Sequence, residues 1–182
     1  MVFTWFKRRQ LMDAIINNDL ARATHLLNGG LDPNFGQNKV SLSISRSQGE
    51  KEKMPPLYAA IDFSSEQMVE LLLDHGANPN TPLSIGPGLS LRFYSDALSY
   101  LISTASLVYM GKPELNDVFS QKHFNMYVAL RQKMQANPCT HNTIEESSHP
   151  TLVGCREWEQ AQRIAESLQT PNTQSVQKKR RM

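Results

Sequence analysis

A short all-α solenoid is the fold this sequence predicts, with extended, β-like loops between its helix pairs and a divergent helical part towards the C-terminal end. Three observations predict it. Asn28-Gly29-Gly30-Leu31-Asp32-Pro33-Asn34 recurs as Asp74-His75-Gly76-Ala77-Asn78-Pro79-Asn80, at an offset of 46 residues. Held at that offset without a gap, Leu11 meets Leu57, Ala14 meets Ala60, Ile15 meets Ile61, and Leu26-Leu27 meet Leu72-Leu73. Apolar residues inside each copy recur at helical spacing, whereas those between copies alternate with serines. Such repeats bury their apolar faces against one another, so they set the architecture before any single motif does.

Taken in order, Phe3, Trp5 and Phe6 come first, followed by Lys7-Arg8-Arg9. They are expected to pack on the first repeat as an N-terminal cap, so that removing residues 1 to 8 lowers stability; the competing reading inserts them at a membrane surface. In the second copy, Pro55-Pro56 suits the first turn of a helix, where the missing N–H costs nothing. Leu57, Ala60 and Ile61 then share one face. Ser64 and Gln67 have the spacing of a capping box for the next helix, whose buried stripe is Met68, Leu71 and Leu72. Gly76, like Gly30 in the first copy, stands where a left-handed residue ends the helix. His75 is read as a cation at that helix end and not as a base.

The run P-P-L-Y-A-A-I-D-F-S-S-E-Q-M-V-E-L-L-L-D-H-G-A-N-P-N resembles an ankyrin repeat, following the family's T-P-L-H-x-A signature and its V-x-L-L-L-x-x-G-A-x-x-N continuation. Pro55 stands for the usual Thr and Tyr58 for the usual His, which implies a looser tie to the preceding turn. The run from Leu11 to Asn34 is similar to an N-terminal ankyrin repeat. Family copies lie about 33 residues apart, so an offset of 46 places an insertion between Phe35 and Lys53, at the family's finger loop. A degenerate third copy matches Val128, Leu130 and Ala136-Asn137-Pro138. The expected organisation is a repeat domain over 1–138, with repeats at about 9–34, 55–80 and 95–138 and finger insertions at 35–53 and 81–94. A loop and capping helix over 139–169 and a disordered basic tail over 170–182 follow.

Within the insertions, Val40, Leu42 and Ile44 alternate with serines, and Leu89, Leu91 and Phe93 alternate with Ser90, Arg92 and Tyr94. Two fingers sharing a small antiparallel sheet are expected; two unrelated loops are the plain alternative. Ser95 to Met110 reads as a helix ended by Gly111. The stripe Leu115, Phe119, His123, Met126, Leu130, Met134 reads as another, reaching to Ala136 and longer than an ankyrin helix. Trp158, Ala161, Ala165 and Leu168 form a last amphipathic stripe near 155–169, suited to cap the stack.

Composition narrows the function. A net charge of +2 does not by itself call for a nucleic acid. Two cysteines without a CxxC pair point to a reducing, intracellular compartment, and no apolar run is long enough to span a membrane. Cys139, His141, His149 and Cys155 could hold zinc, but their spacing matches no zinc finger and they flank a Ser/Thr-rich loop, so no metal is assigned. Glu145-Glu146 reads as a solvated pair. No nucleophile elbow, Walker loop, zinc-protease motif or dinucleotide fingerprint occurs.

The resemblance implies a non-enzymatic module that binds a partner protein through its fingers and the exposed face of its first helices, without cofactor or small-molecule substrate. On matching positions the contact residues are Ile16 and Asn17 in the first copy and Asp62 and Phe63 in the second. Phe63 is the expected aromatic anchor; tucked under the long finger, it would be unavailable. The expected location is cytoplasmic, with Lys178-Lys179-Arg180-Arg181 resembling a nuclear-import signal. Two alternatives are a translocated bacterial effector that engages a host protein, and an enzyme with its site in segment 95–169.

Overall fold

Three helix pairs follow one another along the chain. In the computed structural model, which describes residues 2–36, 39–40, 54–86, 92–109, 116–134 and 150–169, the first pair is α1 (Val2–Ile16) with α2 (Leu20–Asn28). The second is α3 (Pro56–Phe63) with α4 (Glu66–Asp74), and the third is α5 (Ala97–Tyr109) with α6 (Asn116–Lys133). Strands β1 (Lys39–Val40), β2 (Leu83–Ile85) and β3 (Arg92–Tyr94) lie between pairs, and α7 (Pro150–Gln169) comes last. α1 packs on α3 and α3 on α5, while α2 packs on α4 and α4 on α6. The two rows make a stacked solenoid, as the repeat predicts.

Three of the first four helices, α1, α2 and α4, end by one backbone device. At the end of α4, Gly76 N–H donates to Leu73 O at 3.1 Å and Ala77 N–H to Leu72 O at 2.9 Å, with Gly76 at φ 85°. α2 ends identically, Gly30 donating to Leu27 O and Leu31 to Leu26 O, with Gly30 at φ 78°. α1 repeats the pattern with an asparagine, Asn18 at φ 53° donating to Ile15 O and Asp19 to Ala14 O. These are Schellman closures, which satisfy the last carbonyls of a helix.

Bonds between units replace some expected within them. Ser64 does not form the predicted capping box with Gln67: its hydroxyl donates to Ile15 O in the preceding unit. α4 is capped from outside as well, Asn18 Oδ1 accepting from the backbone N–H of Ser65 at 3.2 Å and from its hydroxyl at 2.9 Å. Nor is the tie between successive turns loosened by losing the signature Thr and His. Asn34 donates to Gly76 O and accepts from Asn78 N–H, both at 2.8 Å, and the buried Tyr58 hydroxyl donates to Thr81 O. Every aligned apolar position is buried: Leu11, Ala14, Ile15, Leu26 and Leu27 with Leu57, Ala60, Ile61, Leu72 and Leu73. Each large apolar side chain so buried contributes about 1.5–3 kcal/mol.

The fingers do share a sheet, but a mixed one, in the order β1-β2-β3. β1 pairs with β2 in parallel, Lys39 opposite Ser84 and Val40 opposite Ile85; β2 pairs with β3 antiparallel, Leu83 opposite Tyr94. Repeat geometry explains the correction. β1 and β2 occupy equivalent places in successive units, and equivalent segments of translated units run the same way. The antiparallel partner comes from the return arm of the second finger. Leu42, Ile44, Leu89 and Leu91 lie outside the described residues.

The third unit departs from the second as expected, with 13 residues in α5 and 18 in α6 against 8 in α3 and 9 in α4. α5 is capped by Asp96, whose Oδ1 accepts from Ser99 N–H at 2.7 Å. The stripe His123, Met126, Leu130, Met134 is buried, although α6 stops at Lys133. α7 begins at Pro150, earlier than the predicted 155, and packs on α6 through Cys155 and Trp158. Its C-terminal half does not act as a lid: Ala161 is exposed, and Leu168 is 80% and Ile164 61% exposed. Trp5 and Phe6 likewise form no cap. They belong to α1, which runs past the first repeat and carries Trp5 and Phe6 into solvent.

Candidate interaction site

The packing of α1 on α3 brings the ends of the first helices together. Ile16 closes α1 half-buried, and Asn17 is exposed beside it, its Nδ2 donating to Asp13 O at 2.9 Å. Across the stack Asp62 is exposed near the end of α3, and Phe63 is half-buried against the hydrophobic core. The bonds from Ser64 to Ile15 and from Ser65 to Asn18 hold the two ends side by side. The four residues thus share one edge of the solenoid, formed by the turns that join first helices to second. Phe63 lends that edge an apolar floor more than a protruding anchor.

The edge continues into the third unit. Tyr100, buried on α5, donates its hydroxyl to Asp62 Oδ2 at 2.7 Å. Lys122 of α6 approaches the same place; burial lowers its pKa, while the carboxylates of Glu66 and Asp62 oppose the fall.

The described strands of the fingers lie elsewhere. The first finger leads into Pro55, at the start of α3, so α3 separates the sheet side from Asp62 and Phe63 by about 12 Å, at ~1.5 Å per residue. Phe93 on β3 is 68% exposed. Among the described residues, the finger strands and the helix ends therefore stand at opposite ends of α3. Sequence reasoning missed Asn18, Asn34 and Tyr100 as the residues that fix this geometry. One signal was available: Asp32 and Asn34 recur as Asn78 and Asn80, and each pair closes the same turn, Asn34 N–H to Asp32 at 2.8 Å and Asn80 N–H to Asn78 at 3.0 Å.

Of the four candidate zinc ligands, Cys139, His141 and His149 lie outside the described residues, as do Glu145-Glu146 and the Lys178–Arg181 run. Cys155 is buried on α7, where burial pushes its thiol up to about 12 and Glu159 adds to the rise. Such a thiol stays protonated at neutral pH and is a poor nucleophile. Among the described residues, no group of three or more His, Cys, Asp or Glu is placed to hold a metal ion. Glu159 instead accepts from the Tyr127 hydroxyl at 2.8 Å and from Arg131 Nε at 2.5 Å, fastening α7 to α6.

Residues 53–82 match the family model of the ankyrin repeat. No curated protein and no solved structure matches the chain. The match falls on the better preserved copy, and it takes in the proline-led helix, the Schellman closure at Gly76 and the start of the second finger. Ankyrin repeats are typically non-enzymatic modules for binding other proteins, so a protein is the class of partner this architecture supports. The chain carries an ankyrin repeat at residues 53–82, set within an all-α solenoid.

Proposed function

We propose that the chain binds a partner protein along the edge formed by Ile16, Asn17, Asp62 and Phe63. The observation that carries this reading is the alignment of these residues by the bonds between units. Helix ends that diverge in sequence are held in register, Asn17 and Asp62 exposed over the half-buried Ile16 and Phe63. A polar pair over an apolar floor suits the polar rim and dry centre of a protein interface. The second-helix row offers less: α2 and α4 bury Leu26, Leu27, Leu72 and Leu73 and turn charged residues such as Arg22 and Glu70 outward.

Photo-crosslinking tests the reading. A crosslinking amino acid at Asn17 should capture a discrete protein in cells that produce the chain, whereas one at Arg22 should capture none. Asp62→Asn, which keeps an acceptor for Tyr100 and removes the charge, should weaken that capture while leaving the thermal midpoint in place. Equal capture from Arg22 would show that the edge is not the binding face.

A further inference from the structure

From residue 4 to residue 9, α1 runs beyond the core of the solenoid. Residues 4 to 9 are all exposed, with Trp5 at 59% and Phe6 at 53%, and the core begins only at Leu11. Next to these aromatics stand Lys7, Arg8 and Arg9, and no acidic residue precedes Asp13. At about 100° per residue, Trp5, Phe6 and Arg9 fall within one arc of ~100°. The Arg9 guanidinium lies 5.9 Å from the centroid of the Trp5 ring, and Arg8 lies 5.2 Å from that of Phe35. Phe35 follows α2, so Arg8 ties the base of the projection to the solenoid. The result is a helical projection that is cationic on several sides and carries two aromatic rings.

We propose that this projection docks the protein on the surface of an anionic lipid bilayer. Trp5 enters the boundary between headgroups and acyl chains, where a ring with one polar edge is favoured, and Phe6 adds apolar area beside it. Lys7 and Arg9 meet anionic headgroups, each basic residue near such a surface contributing about fivefold in affinity. The charge is complementary over the whole projection, since nothing acidic lies in it. Contact is interfacial, because no helix among the described residues is long and apolar enough to cross a membrane. Docking on a bilayer uses none of the residues of the protein-binding edge. Ile16 and Asn17 lie at the other end of α1, about 16 Å from Trp5 along the axis, so a bilayer and a protein partner can be held together.

Co-sedimentation of the full chain with vesicles tests it. Phosphatidylcholine vesicles containing phosphatidylserine should retain the protein, those of phosphatidylcholine alone should not, and retention should fall as salt is raised. Trp5→Ser with Phe6→Ser should lower binding at least about tenfold. Lys7→Gln with Arg9→Gln should lower it roughly thirtyfold. The aromatics are exposed, so the first variant should keep the parent thermal midpoint. In a Trp158→Phe protein, Trp5 emission should shift to the blue on the anionic vesicles. Retention by neither vesicle, equal retention by both, or retention unchanged in the Trp5/Phe6 variant would overturn the proposal. So would equal binding to a DNA duplex that is indifferent to the Trp5/Phe6 change, which would make the projection a site for polyanions.

Discussion

Gly36 is the residue whose replacement separates two kinds of glycine in this chain. Gly30 and Gly76 both have left-handed φ, but a Cβ at either would meet nothing within 4 Å. Gly36, at φ 105°, would place a Cβ 2.8 Å from Met54 O and 2.9 Å from Pro55 N, both backbone atoms at the entry to α3. Gly76→Ala should therefore cost only the left-handed penalty, about 1 kcal/mol. Gly36→Ala adds a collision that only backbone movement relieves, and it should cost about 3 kcal/mol. Urea unfolding of the two variants checks this. Equal midpoints would mean that the Phe35-Gly36 turn yields freely and does not brace the second repeat.

At the scale of elements, what was legible in the sequence is what a helix or turn decides by itself. Pro55-Pro56 opened α3, Gly30 and Gly76 closed α2 and α4, and the six aligned leucines, with Ala14, Ala60, Ile15 and Ile61, marked the buried faces. What escaped depends on another unit. Ser64 has the spacing of a cap, yet α4 takes Ser65 as its N-cap and the Ser64 hydroxyl donates to Ile15 O of the preceding repeat. β2 was not foreseen because Leu83 to Ile85 alternate for only three residues, and it exists through pairing on both sides. Trp5 and Phe6 look like core by type, but α1 outruns the helix it packs on. The candidate site was legible as positions and not as a shape, since the alignment gives Asn17 and Asp62 but says nothing of their distance from the fingers. The α6–α7 seam is of this second kind, and it has a pH signature. Burial raises the Cys155 thiol from 9.0 to about 12 and raises the Tyr127 hydroxyl above its usual 10.0. Both groups are neutral when protonated, and their folded pKa values lie above the unfolded ones. The seam's contribution is then complete below pH 9 and falls as pH climbs towards 12, by up to about 1.4 kcal/mol per pH unit for each group. In a Cys139→Ser protein the urea midpoint should start to fall above pH 9, and adding Cys155→Ala should delay the fall to near pH 10. Coincident curves for the two proteins would remove Cys155 from the account.

Over the whole molecule, stability passes from unit to unit, because among the described residues each helix pair packs mainly on its neighbours. The join between the second and third units centres on Tyr100. Its ring stands edge-on to Tyr58 at 5.2 Å and to Tyr94 at 5.0 Å, and its hydroxyl holds Asp62. One side chain on α5 thereby links α3, the β3 arm of the second finger and the candidate binding edge. Other ties across this join include Ala97 N–H to Pro79 O at 2.8 Å and the exposed Lys133–Asp74 ion pair, which contributes under about 1 kcal/mol. Tyr100→Phe should lose only the hydroxyl bond, about 1–2 kcal/mol, and unfold in one step like the parent. Tyr100→Ala opens a cavity between two buried tyrosines and should cost about 3–5 kcal/mol. Nearly all of that loss falls at one interface, so the units should separate: the segment from α5 to α7 unfolds first, and the first two pairs persist to higher urea. Tryptophan emission, led by Trp158 on α7, should then change before the far-ultraviolet helical signal does. If both signals still moved together in Tyr100→Ala, with an undiminished denaturant slope, the units would be coupled through the rest of the α4–α6 contact and Tyr100 would not be the joint.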